Sequence, residues 1–209
     1  MTWVKICGLR ELEHGKVALE EGAALLGFVF APSRRRVEPD IARNLVAALR
    51  PEGSFAAVGV FVDETVETMN HLAEYCDLDY IQLSGDEPDE VVRHLARPVI
   101  RTIHVGGDGD RIHDRLASAP GEIILLDTAV AGARGGTGEA FDWSGLPPLE
   151  RPVLLAGGLH PGNVAEAIGT VHPWGVDVSS GVETAGRKDA AKIRAFIAAA
   201  QSVHLPRCG

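Results

Sequence analysis

Trp3-Val4-Lys5-Ile6-Cys7-Gly8-Leu9-Arg10 is the stretch on which the fold turns. Trp3–Cys7 has the composition of a short strand buried on both faces. One glycine follows it. The Gly-x-Gly-x-x-Gly turn that opens a doubly wound dinucleotide-binding sheet is absent. Reading outward, the same unit recurs. Strand-like segments fall at Trp3–Cys7, Leu25–Phe30, Ala56–Val62, Tyr80–Leu83, Val99–Val105, Ile123–Asp127, Val153–Ala156 and Val176–Ser179. Helical patterns fall at Arg10–Glu21, Pro39–Leu49, Thr65–Cys76, Pro88–Leu95, Asp110–Ser118, Pro161–Ile168 and Ala190–Ala200. Pro39-Asp40 and Asp63-Glu64-Thr65 read as helix openings. Ala129–Glu150, with Gly132, Gly135, Gly136 and Gly138, reads as a long loop. Strands alternating with helices eight times predict an α/β chain folded as a single (β/α)8 TIM barrel over residues 1–209. The doubly wound open sheet is the alternative.

Composition agrees. The chain has 209 residues, 45% apolar and 23% charged, with a formal net charge of −9. That is ordinary globular usage, and it excludes disorder and collagen-like repeats. A chain of this length buries about 70% of its unfolded surface and needs no staple. The acidic balance, with Arg34-Arg35-Arg36 as the one basic run, argues against a nucleic-acid partner. The apolar runs are strand-sized, which argues against a membrane partner. Met1–Leu9 does not have the pattern of a secretory signal. Cys7, Cys76 and Cys208 are odd in number and far apart, so the expectation is a reducing cytoplasm, with neither a disulfide framework nor a zinc cluster. The eight histidines lack metal-ligand spacing and read as surface or packing residues.

In such a barrel the chemistry lies at the C-terminal ends of the strands. The polar residues there are Cys7, Arg34–Arg36, Asp63, Gln82, Ser84, Arg101, His104, Asp127, Asp177, Ser179 and Ser180. Cys7 is either a buried core thiol or a base at the barrel mouth. Lys5, two residues earlier, is on the same side of the strand. It either lowers the thiol pKa or pairs with another barrel residue. Asp127 ends the apolar run Ile123–Leu126. It is either a turn residue or a partly desolvated general acid. Gly157-Gly158 after strand seven and Ser180-Gly181 after strand eight offer backbone N–H groups to a phosphate, or are ordinary tight turns. A short helix is expected near Val182–Glu183. An arginine of the Arg34–Arg36 run either binds a carboxylate by its fork or sits on a solvated face. Gly135-Gly136-Thr137-Gly138 is either a lid or a turn. Trp143, Cys76 and Cys208 read as packing and tail residues.

These residues resemble the phosphoribosylanthranilate isomerase family of tryptophan biosynthesis. The matching motifs run the length of the chain in order. They are Lys5-Ile6-Cys7-Gly8-Leu9, Gly27-Phe28-Val29-Phe30 with Ser33–Val37, Gly59-Val60-Phe61-Val62 and Gln82-Leu83. Then come Leu125-Leu126-Asp127-Thr128, Gly135–Gly138 and Phe141-Asp142-Trp143. Ala156-Gly157-Gly158-Leu159 with Pro161 and Asn163-Val164 follows. Asp177–Glu183 with Gly186 and Lys188-Asp189 closes the set. The resemblance implies an Amadori rearrangement of N-(5-phosphoribosyl)anthranilate to 1-(2-carboxyphenylamino)-1-deoxyribulose 5-phosphate, with no cofactor or metal. It makes Cys7 the general base and Asp127 the general acid. It sets the anthranilate carboxylate on Arg35, or on Arg36 if the register is one residue off. It sets the phosphate on Gly157, Gly158, Ser180 and Gly181. One position departs: the family's Gln-Leu-His-Gly is here Gln82-Leu83-Ser84-Gly85. Ser84 retains a hydroxyl able to donate one hydrogen bond.

Other readings remain at this point. A ribulose-phosphate epimerase would need a metal-ligand histidine set. An indole-glycerol-phosphate synthase would need a lysine and glutamates at strand ends. A non-catalytic binder of phosphorylated ligands would not need both Cys7 and Asp127.

Overall fold

The computed structural model describes residues 2–105, 112–128 and 146–203. Eight parallel strands close a barrel in chain order. They are β1 (Trp3–Cys7), β2 (Leu25–Val29), β3 (Ala56–Phe61), β4 (Tyr80–Leu83), β5 (Val99–Val105), β6 (Ile123–Thr128), β7 (Val153–Leu155) and β8 (Gly175–Val178). The doubly wound alternative is thereby excluded. Helices α1 (Leu12–Glu20), α2 (Pro39–Leu49), α3 (Val66–Tyr75), α4 (Ile112–Ser118), α5 (Val164–Val171) and α6 (Ala190–Gln201) connect them. Gly135–Gly138, Phe141–Trp143, Cys208 and the start of the helix expected from Asp110 lie outside the described residues.

Alternation along each strand divides the side chains into two sets. One set, including Ile6, Leu26, Phe28 and Leu126, packs outward against helix residues such as Phe196 and Ile197 of α6. The other set faces the barrel axis. Its lower part is apolar: Leu25, Val58, Ile100, Ile123, Leu125, Leu154 and Ala156 form one cluster. Cys7, Val29, Ala31 and Val60 form a smaller cluster nearer the mouth. The register carries the inward set around the barrel, pairing Lys5 with Leu25 and Asp177, Thr102 with Leu125, and His104 with Asp127. At the opposite end Trp3 stacks on Trp174, ring centroids 5.2 Å apart.

Three expected helices differ. Pro88–Leu95 forms no α-helix; Asp89–His94 is a 3-10 turn. Val91-Val92 disfavours a helix, Pro98 follows closely, and the His94 carbonyl accepts a bond from the Asn70 side chain at 2.9 Å. The helix expected from Pro161 begins at Val164 instead. Asn163 ties the preceding turn, accepting from His160 N at 2.8 Å and donating to Gly158 O at 3.0 Å. Near Val182 the chain makes a 3-10 turn, Ser180–Val182, then a hairpin of β9 (Glu183–Thr184) and β10 (Arg187–Lys188). Ala185 and Gly186 turn it with positive φ, 50° and 79°, as a two-residue hairpin loop requires.

Helix starts show which openings are built. Thr65 caps α3 by accepting from Thr68 N at 3.2 Å, whereas Glu38 makes no side-chain cap bond at α2. Thr65→Ala is therefore expected to lower stability by about 1 kcal/mol. Glu38→Ala should change it by no more than about 0.5 kcal/mol. Urea denaturation compares the two, and equal losses would refute the assignment.

Candidate active site

Lys5 and Cys7 both face the axis from β1. Lys5 is fully buried and its Nζ lies 2.9 Å from Asp177 Oδ1 on β8. Both sequence readings of Lys5 hold at once, because it pairs with Asp177 and also stands beside the thiol. Burial opposes its charge, but Asp177 and Cys7 outweigh burial and its pKa stands above the ordinary lysine value. Burial likewise pushes the Cys7 thiol up. Lys5 and Lys188 pull it down, Asp177 adds to the rise, and the net direction is upward. Gly27 makes room for this thiol: a Cβ there would stand 2.9 Å from Cys7 Sγ and 3.0 Å from its Cα.

Asp127 faces the same mouth from β6. Its Oδ1 accepts from Thr128 N at 2.9 Å. Burial raises its pKa, with His104 opposing and Asp177 adding to the rise. Asp177 thus stands electrostatically between the thiol and the acid. His104 is not the surface or packing residue expected for the histidines as a group. It is half-buried, it is the cross-strand partner of Asp127, and its Nε2 lies 3.3 Å from Ser84 O. Counting alternate residues from Ile100 places it inside. Ser84 closes the β4 side: it accepts from Gln82 Nε2 and meets Thr102 Oγ1, each at 3.0 Å.

The glycine turns converge. A small cavity of about 50 Å³ is lined by Asp127, Ala156, Gly157, Gly158, Leu159, Asp177, Val178, Ser179 and Ser180. Gly157 and Gly158 have φ of 79° and 66°, a region that disfavours side chains. A Cβ on Gly157 would also meet Thr128 N at 2.6 Å. Gly181 has no room for a Cβ either, because the Leu159 carbonyl occupies that space. The loops after β7 and β8 therefore touch backbone to backbone. Neither lysine nor arginine lines this cavity among the described residues.

On the other side of Cys7 the site is strongly charged. Arg35 forks onto Glu183, Nε to Oε1 at 2.6 Å and Nη2 to Oε2 at 3.1 Å. Glu183 also accepts from Arg34 Nη2 and Lys188 Nζ, each at 3.0 Å. Arg35 crosses Gly8, where a Cβ would come within 2.9 Å of Arg35 Cδ. Arg36 turns away and lies 3.7 Å from Glu38. Sequence reading missed Glu183 as the shared partner of Arg35 and Lys188. The signal was the two-residue Ala185-Gly186 turn that folds Lys188 back onto Glu183. Among the described residues, no group of three His, Cys, Asp or Glu side chains is placed to hold a metal ion.

Burial works to raise the Glu183 pKa, but Arg35 and Lys188 dominate and lower it from 4.5 to about 2. A carboxylate depressed on folding adds stability above its unfolded pKa and loses it as pH falls through the folded value. The wild-type chain should therefore lead Glu183→Gln in urea midpoint at neutral pH. That lead should narrow below pH 4.5. A constant lead would show that Glu183 is not ionised in this cluster.

Residues 4–199 match the family described as N-(5'-phosphoribosyl)anthranilate (PRA) isomerase. The N-(5'-phosphoribosyl)anthranilate isomerase of Desulforudis audaxviator is 50% identical over 199 residues, covering 94% of this chain and 97% of that protein. The one from Roseiflexus sp. is 47% identical over 211 residues, covering 97% and 99%. The crystal structure of phosphoribosyl anthranilate isomerase from Thermotoga maritima superposes with a TM-score of 0.86 at 40% identity, covering 97% of this chain and 100% of that one. A phosphoribosyl anthranilate isomerase solved in complex with reduced 1-(o-carboxyphenylamino)-1-deoxyribulose 5-phosphate gives 0.83 at 39%, with the same coverage. The match runs over nearly the whole chain in sequence and in fold, and the chain belongs to the N-(5'-phosphoribosyl)anthranilate isomerase family.

Proposed function

We propose that this chain catalyses the Amadori rearrangement of N-(5-phosphoribosyl)anthranilate by general acid–base catalysis, with Cys7 as base and Asp127 as acid. The observation that carries the reading is the placement of these two titratable groups on opposite sides of one mouth. A carboxylate-binding arginine lies toward one end and a backbone phosphate cradle toward the other. The ligand solved in the related isomerase has a carboxylate and a phosphate at its two ends, and it suits that polarity.

In this reading the phosphate rests on the amides of Gly157, Gly158, Ser180 and Gly181. Backbone N–H groups in such turns bind anions without a cationic side chain. Arg35 holds the anthranilate carboxylate. Its Nε–Nη2 edge is taken by Glu183, so the substrate meets the Nη1 side. Asp127 gives its proton to the furanose ring oxygen. The C1–O bond breaks and a C1=N Schiff base forms. Burial raises the Asp127 pKa, the direction that a general acid needs. The Cys7 thiolate then takes the proton from C2, and the electron pair moves into C1–C2 to give the enolamine. Loss of the O2 proton and gain of one at C1 complete the ketose. A free Cys7 thiol goes with a reducing cytoplasm, and that location belongs to the proposal. No helix among the described residues is long and apolar enough to cross a membrane.

Turnover followed by loss of anthranilate-type fluorescence tests the roles. Cys7→Ser and Asp127→Asn should each lose about 10²–10⁴ in turnover, while binding of a product analogue is retained. Near-normal turnover in either variant removes that residue from the mechanism. No turnover by the folded wild-type chain would favour the binder instead. Arg35→Ala should mainly raise KM, by about tenfold or more. If Arg36→Ala does this and Arg35→Ala does not, the carboxylate site is one residue along.

A further inference from the structure

The hairpin after β8 puts one more charged group beside the base than the reaction above uses. Lys188 lies on its inner side with its side chain 4% exposed. Its neighbour Arg187 points outward to Glu11 at 2.9 Å. Lys188 Nζ donates to Ser179 O at 2.8 Å and approaches Ser179 Oγ at 3.4 Å. Ser179 Oγ in turn donates to the Cys7 carbonyl at 3.2 Å. The ammonium is thus fixed against the end of β1.

Its counter-charge is shared. Glu183 is one carboxylate facing three cations, Arg34, Arg35 and Lys188. Among the described residues, the other charged groups acting on Cys7 are Lys5 on β1 and Asp177 on β8, and these pair with each other. On the β2 side Gly27 contributes no side chain. Among the described residues, the remaining charge acting on the thiol is positive and comes from Lys188. We propose that Lys188 is a positioning residue for Cys7: its ammonium, aimed at the end of β1 through Ser179 and only partly neutralised by Glu183, holds the thiolate that takes the substrate's proton. The proposal rests on the reading of Cys7 as base.

The directions of titration agree. Burial dominates the rise at Cys7, and Lys188 joins Lys5 in opposing it. Burial also lowers the Lys188 pKa, while Glu183 and Cys7 support its charge and Arg35 opposes it.

The test is the pH midpoint of thiolate ultraviolet absorbance in the full chain, measured as the difference from a Cys7→Ser blank. Lys188→Met should raise the midpoint by about one pH unit, since losing an opposite charge disfavours the ionised thiol. The alkaline rise of turnover should move with it, with KM little changed, and Lys188→Arg should restore most of the shift. An unmoved midpoint in Lys188→Met overturns the proposal. If that variant fails to fold, Glu183→Gln decides, because it leaves the cations less compensated and should lower the midpoint. No movement there is equally fatal. Turnover retained in Cys7→Ser would instead sink the base reading and leave the midpoint result standing.

Discussion

A buried ion pair between Lys5 and Asp177 sets the terms for the rest of the barrel interior. An ammonium sealed inside a barrel is costly unless a carboxylate meets it with good geometry. The β1–β8 register supplies that partner directly alongside. Below the pair the axis is filled by Leu25, Val58, Leu125 and Leu154. Above it stand the titratable groups of the mouth. The pair marks the level at which the interior changes from packing to chemistry. It also fixes the electrostatic surroundings of both groups read as acid and base, since Asp177 acts on Cys7 and on Asp127.

The two ends of the mouth are built on different physical plans. Near Arg35 the chain uses side-chain charge, with Glu183 joining the loop after β2 to the hairpin after β8. Near Gly157 it uses backbone, with loops so close that side chains are excluded at Gly157 and Gly181. The first plan gives a strong local field and depends on ionic partners. The second gives a close-walled concavity that offers peptide N–H groups instead of cationic side chains. A ligand with different anionic groups at its two ends has only one sensible way to lie between them.

Much of this was legible in the sequence. The strands were, because each is a short apolar run whose period differs from that of the helices between. The positions of Cys7, Asp127 and the glycine pairs followed from strand ends alone. The rest depends on partners distant in the chain. Nothing local distinguishes Arg35 from Arg36, and Glu183 makes the difference. His104 stands out among the eight histidines by its place at a strand end, and strand parity turns it inward. At Asp89–His94 the paired valines disfavour the helix, and the turn is held instead by Asn70 of another element, which donates to the His94 carbonyl.

The seam between the first and last strands has a consequence in time. Lys5 and Asp177 are 172 positions apart, as are Ser179 and Cys7. The first and last helices are tied across the same seam by Arg194 to Glu21, and the hairpin by Arg187 to Glu11. Contacts between such distant segments carry a large loop-closure cost and form late in folding. During synthesis, a ribosome that has made only the first six or seven strands has already produced Cys7 and Asp127. Asp177, which acts on both, and Lys188, which acts on Cys7, do not yet exist. The pocket is thus complete only when the chain is nearly finished, and a nascent fragment carries the Cys7 thiol and Lys5 without the carboxylate that pairs with that lysine.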